Sequence, residues 1–99
     1  MKIIDYKNEI TTICKKYNVE SLSVFGSVLT DRFNDSSDID FLVVFRNRKI
    51  AGSFDRFFDL KEELENILSH NVDLVCENQI KNPYFEDRIN QTKKVIYAA

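Results

Sequence analysis

The chain is poor in the residues that build linkers, cross-links and extended repeats. Its 99 residues include two glycines, one proline, two cysteines, one histidine and no tryptophan. No repeat, low-complexity tract or linker appears, so residues 1–99 read as one domain with a single modest core. Cys14 and Cys76 lie too far apart for metal-type spacing, and reduced, buried thiols of a cytosolic protein are expected. The longest apolar run, Phe41 to Phe45, is too short to cross a bilayer. The opening Met1-Lys2-Ile3-Ile4-Asp5-Tyr6-Lys7 is too charged for a signal peptide, which leaves a soluble, cytoplasmic domain as the expectation. Net charge is only -2, so long-range attraction to nucleic acid is not favoured and polymerisation on a nucleic-acid template is a weak reading.

A hydrophobic fraction of 43% excludes disorder and supports a packed core. Ile3, Tyr6, Ile10, Ile13, Cys14 and Tyr17 recur at helical spacing, which predicts a helix over 2–17. A strand over 21–26 follows, then a short helical turn and polar loop over 28–37. Residues 38–45 are nearly all apolar, as suits a buried central strand. Arg46 to Gly52 is a loop, and Ser53 caps a helix reaching about residue 69. In that helix Phe54, Phe57 and Phe58 sit at helical spacing and read as core or partner-facing side chains. Val72 to Cys76 is a short strand. Asn82-Pro83 reads as a cap followed by proline at the first helical position. Phe85, Ile89, Thr92 and Ile96 then continue a helical face, with a short edge strand over Lys94–Tyr97 as the alternative. The expected fold is α+β, a small mixed β-sheet with helices packed against it in the order α-β-α-β-α-β-α.

Against this background one constellation stands out. The run Leu22 to Phe25 ends in Gly26-Ser27, and ten residues later Asp38-Ile39-Asp40 opens the second apolar run. In a strand alternate side chains share a face about 6.6 Å apart at Cα, so Asp38 and Asp40 point the same way. Two such carboxylates roughly 5 Å apart repel by about 3 kcal/mol at an effective dielectric near 20. A cation between them removes that cost, and hard oxygen donors suit magnesium. Asp73 is a third carboxylate in an apolar strand, Val72-Asp73-Leu74-Val75. If the second and third strands are neighbours, it joins the other two in a cluster able to hold two Mg2+ ions. Gly26 allows close backbone approach to a ligand, Ser27 offers a hydroxyl, and the turn after them offers N–H groups to a phosphate. His70, between a helix and a strand, reads as a helix-end residue, and Arg46, Arg48 and Lys49 as a solvated loop.

The pattern Gly26-Ser27, ten residues, Asp38-Ile39-Asp40 resembles the signature of the minimal nucleotidyltransferases, the smallest members of the DNA polymerase β-like superfamily. The resemblance spans nearly the whole chain. It implies that Asp38 and Asp40 bind metal, that Asp73 aids metal binding and accepts the attacking hydroxyl's proton, and that Gly26 and Ser27 hold a triphosphate. It further implies transfer of AMP from ATP to a hydroxyl of a protein, typically a small helical HEPN-type toxin for which the transferase is the antitoxin. The core elements consume most of the chain, so the acceptor is expected on a partner or on a second copy. Where family members continue Gly-Ser with an arginine-bearing stretch, this chain has Val28-Leu29-Thr30-Asp31, with Arg32 later. Arg32 or the Arg46/Arg48/Lys49 group is left as a substitute. That departure supports an alternative, a catalytically weak binding module that neutralises its partner by occlusion.

Overall fold

The computed structural model describes residues 3–26, 37–46, 53–77, 80 and 82–99, with residues 53 and 54 described by their backbone alone. A single 3-10 turn, Ile3–Tyr6, leads into α1, Lys7–Lys16. β1 is Val19–Phe25, β2 Ile39–Phe45, α2 Ser53–Leu68, β3 Val72–Cys76, α3 Pro83–Thr92 and β4 Lys94–Ala98. The helical turn expected over 28–37 lies, apart from Ser37, outside the described residues.

Among the described residues four strands form one mixed sheet in the order β3-β2-β1-β4. β1 is antiparallel to both β2 and β4, whereas β2 and β3 run parallel. The near-continuous apolar character of β2 is explained by its interior place. The last expected helix is shorter than its apolar spacing suggested. It stops at Thr92, and Ile96 lies instead on β4, the edge-strand alternative for that segment. Pairing with β4 covers what would otherwise be the open edge of β1, and Val95, Ile96 and Tyr97 are residue types that suit a strand.

Local chemistry sets the boundaries. Asn18 and Ser69 adopt left-handed backbone angles (φ 57° and 52°), turning the chain out of α1 and α2 into the strands that follow. The Asn82 side chain accepts from the Tyr84 and Phe85 backbone N–H groups at 3.0 and 3.4 Å, the expected cap, with Pro83 at the first helical position.

The two faces of the sheet are filled unequally. Toward α1 and α2, Leu22, Val24, Ile39, Phe41, Val43, Val72 and Leu74 pack with Ile10, Ile13, Leu60, Leu64 and Leu68. Burying each such side chain contributes about 1.5–3 kcal/mol. Val19 belongs to this face although its position along β1 is odd, because a bulge between Val19 and Ser21 shifts the register by one residue. The other face buries a small group, Phe25, Leu42 and Ile89, the last supplied by α3. Cys14 is buried in the main core, where desolvation pushes its thiol up to about 12, and neither cysteine forms a disulfide. Among the described residues no helix is long and apolar enough to cross a membrane.

Candidate active site

Register places the acidic residues. Phe25 lies opposite Asp40 across the β1–β2 pair, and Asp40 lies opposite Asp73 across the β2–β3 pair. Strand alternation then puts Asp38, Asp40 and Asp73 on the face that carries Leu42 and Val75, with α3 against it. Ile39, Phe41, Val72 and Leu74 turn the other way, into the main core. The residues that look out of place in apolar strands are therefore the ones pointing away from the deep core.

The three carboxylates share one electrostatic field. Asp40 is half-buried, and its carboxyl is held above the usual carboxylate range by desolvation first, then by the charges of Asp73 and Asp38. Asp38 and Asp73 are exposed. Among the described residues no three His, Cys, Asp or Glu side chains are gathered tightly enough to form a metal cage. The donor chemistry is nonetheless that of a hard divalent cation, carboxylate oxygens whose mutual repulsion a cation would relieve.

Gly26 closes the arrangement from β1. Its φ is +79°, a left-handed conformation that favours glycine, and a Cβ built there would collide with the Asp40 carboxylate, whose Cγ would lie 3.3 Å away. The positive φ favours glycine here, and any Cβ would in addition have to displace the Asp40 carboxylate. Ser27, Arg32, Arg48 and Lys49 lie outside the described residues. Arg46 is excluded as a phosphate partner at this end. It follows the far end of β2, about 20 Å along the strand from Asp40 at 3.3 Å per residue. There its N–H donates to the Asn18 carbonyl and its own carbonyl accepts from Arg56 Nη1 at 3.0 Å.

Three nearby features had no signal in the sequence motif. The ring of Phe85, 45% exposed, meets that of Phe25 edge-on at 6.3 Å, which sets an aromatic pair beside the acidic row. Lys94 lies opposite Val24, so β4 begins at the same end of the sheet as Gly26. Glu65, at the end of α2, accepts a hydrogen bond from the Val72 backbone N–H at 2.9 Å, one residue before Asp73. The first two depend on pairings between segments distant in sequence, and the third spans the turn from α2 to β3.

The sequence matches the family described as polymerase beta, nucleotidyltransferase, over residues 8–99. A candidate protein adenylyltransferase of Methanocaldococcus jannaschii is 38% identical over 77 residues, covering 78% of this chain and 76% of that protein. Protein adenylyltransferase MntA of Thermococcus cleftensis is 34% identical over 68 residues, covering 69% of this chain and 66% of the other. Among solved structures, a candidate minimal nucleotidyltransferase superposes with a TM-score of 0.77 at 24% identity, covering 93% of this chain and 90% of the other. A structure of a tri-AMPylated Shewanella oneidensis HEPN toxin in complex with its MNT antitoxin gives a TM-score of 0.64 at 18% identity over 94% of this chain and 70% of that one. At these identities the two structures speak for the fold.

Proposed function

The chain belongs to the polymerase beta nucleotidyltransferase family, and we propose that it is a magnesium-dependent protein adenylyltransferase that moves AMP from ATP to a hydroxyl on a HEPN-type partner. The observation that carries this reading is the row Gly26, Asp40, Asp73, with Asp40 charge-coupled to Asp38 as well. The relatives named protein adenylyltransferase support AMP as the transferred group. The AMPylated HEPN toxin bound to an MNT antitoxin supports the class of acceptor.

In the reaction, the acceptor hydroxyl oxygen bonds to the α-phosphorus of ATP while the bond from that phosphorus to the bridging oxygen of pyrophosphate breaks in line. Asp38, Asp40 and Asp73 would hold Mg2+, which neutralises charge on the triphosphate and on the leaving group. Exposed Asp73 is open to the acceptor and takes the hydroxyl proton as general base. Gly26, lacking a side chain, lets the end of β1 approach the phosphates, and Ser27 supplies its hydroxyl to them. Positioning and electrostatic stabilisation supply most of the acceleration.

The test is incubation of the protein with α-labelled ATP, Mg2+ and a HEPN-type helical protein, the product of the neighbouring gene being the first to try if it is of that kind. Label is expected on a hydroxyl of that protein, and Asp38→Asn or Asp40→Asn should lower the rate by about 10³-fold or more while leaving the fold intact. A doubly substituted protein that transfers at the wild-type rate would overturn the assignment. Tight partner binding with no label and no Mg2+-dependent ATP binding by calorimetry would favour the occluding module, which residues 28–31 support by lacking the arginine.

A further inference from the structure

We propose that Glu65 is a positioning residue that holds Asp73 in register with Asp40, an inference that rests on the adenylyltransferase reading of this site. The argument begins with the ladder between β2 and β3. Ile39 pairs with Val72, and the Ile39 N–H donates to the Asn71 carbonyl at 3.0 Å. In a parallel pair of this register, the residue opposite Ile39 turns its own N–H away from β2. Among the described residues β3 is an edge strand, so the Val72 N–H faces the side of the sheet away from β2. The Glu65 carboxylate accepts it there at 2.9 Å, in a part-buried setting.

The location of Glu65 strengthens the case. It lies in α2, Ser53–Leu68, in the last turn of that helix, and this last turn carries no basic residue. A carboxylate there opposes the negative end of the helix dipole, where a cation is preferred. A charge at an unfavourable helix position, bonded to the amide that precedes Asp73, is explained by what it holds. Between Glu65 and Val72 the chain passes through Ser69 (φ 52°), His70 and Asn71, a short turn that joins α2 to the first residue of β3. Glu65 clamps that turn from the helix side while Ile39 clamps it from the strand side. The two bonds fix where β3 starts, and so which residue faces Asp40. Removing one lets Asp73 move without unpacking Leu74 or Val72 from the core.

The experiment compares wild type, Glu65→Ala and Glu65→Gln. Glutamine keeps an acceptor oxygen at the same reach. Loss of a charge-assisted hydrogen bond corresponds to about a tenfold effect, and loss of an outer support of a metal ligand to about 10–100-fold in metal affinity. Glu65→Ala is therefore expected to exchange its Val72 amide about tenfold faster and to bind Mn2+, used as the probe ion, at least about tenfold more weakly. Its kcat should fall about tenfold with KM for ATP within about twofold, and Glu65→Gln should stay within about threefold of wild type throughout. Faster Val72 exchange with unchanged Mn2+ affinity would overturn the proposal, as would a uniform rise in exchange across the sheet. Neither the exchange nor the Mn2+ measurement requires nucleotide transfer. A wild-type protein that transfers nothing would thus sink the proposed reaction while these two readouts still decide the role of Glu65.

Discussion

The two faces of the sheet differ in what they bury and in what they leave exposed. Toward α1 and α2, Leu22, Val24, Ile39, Phe41 and Val43 meet helical leucines and isoleucines in one continuous core. Toward α3, the buried apolar cluster of the described residues is small, Phe25, Leu42 and Ile89, and the neighbouring row of the same face holds Asp40 and Asp73. The same strands serve both purposes, because alternate residues face opposite ways. Stability is concentrated on one side, which leaves the other free to carry like charges at close range. The exposed pair Lys16–Glu63, 3.3 Å apart between α1 and α2, sits outside this division and adds little to it.

If the division is real, damage to one face should leave the other readable. The largest loss of stability is expected from Leu64→Ala, which empties a fully buried position between helix and sheet. It should cost about 2–5 kcal/mol in urea unfolding, with transfer per folded molecule within about twofold of wild type. Loss of transfer in proportion to something other than unfolded fraction would break the comparison. Gly26→Ala tests the junction of core strand and site. The strained φ and the collision with Asp40 should cost about 1–2 kcal/mol and lower kcat/KM about 10–100-fold.

The smallest effect has the opposite sign. The folded state holds the Asp40 carboxyl above its ordinary 3.8, so folding favours its protonated form. Its contribution is most favourable below that ordinary value and is lost as pH rises through the raised one. In EDTA at neutral pH, Asp40→Asn should therefore raise Tm, and the gain should shrink as the pH is lowered toward 4, whereas with Mg2+ present the same substitution should lower transfer about 10³-fold or more. A Tm that falls on this substitution would mean that Asp40 stabilises the fold and that the acidic face is not under strain.

Much of this arrangement was legible in the residues. β3 has the expected bounds, Val72–Cys76, because a short β-branched run between polar turns has few other solutions. The Asn82 cap and the shared face of Asp38 and Asp40 also follow from local chemistry. Other features were not legible. The bulge at Val19 and the conversion of Lys94–Ala98 to a strand each require a partner far along the chain, and the Glu65 bond to Val72 spans a helix-to-strand turn with no motif of its own. In the segment from Phe85 to Ile96 the helical spacing ran on past Thr92, and only the open edge of β1 selected a strand for its end.

By itself the sequence determined the kinds of element and the residues able to carry charge at this site, since periodicity, caps and the Asp-x-Asp spacing are properties of a few consecutive residues. Tertiary structure alone decided that β3 lies beside β2 with Asp73 facing Asp40, that Gly26 rests against the Asp40 carboxylate, and that α3 rather than the deep core borders the acids. Those outcomes depend on strand order and register, which are fixed by burial and hydrogen bonding across the whole chain and leave no mark at any one position.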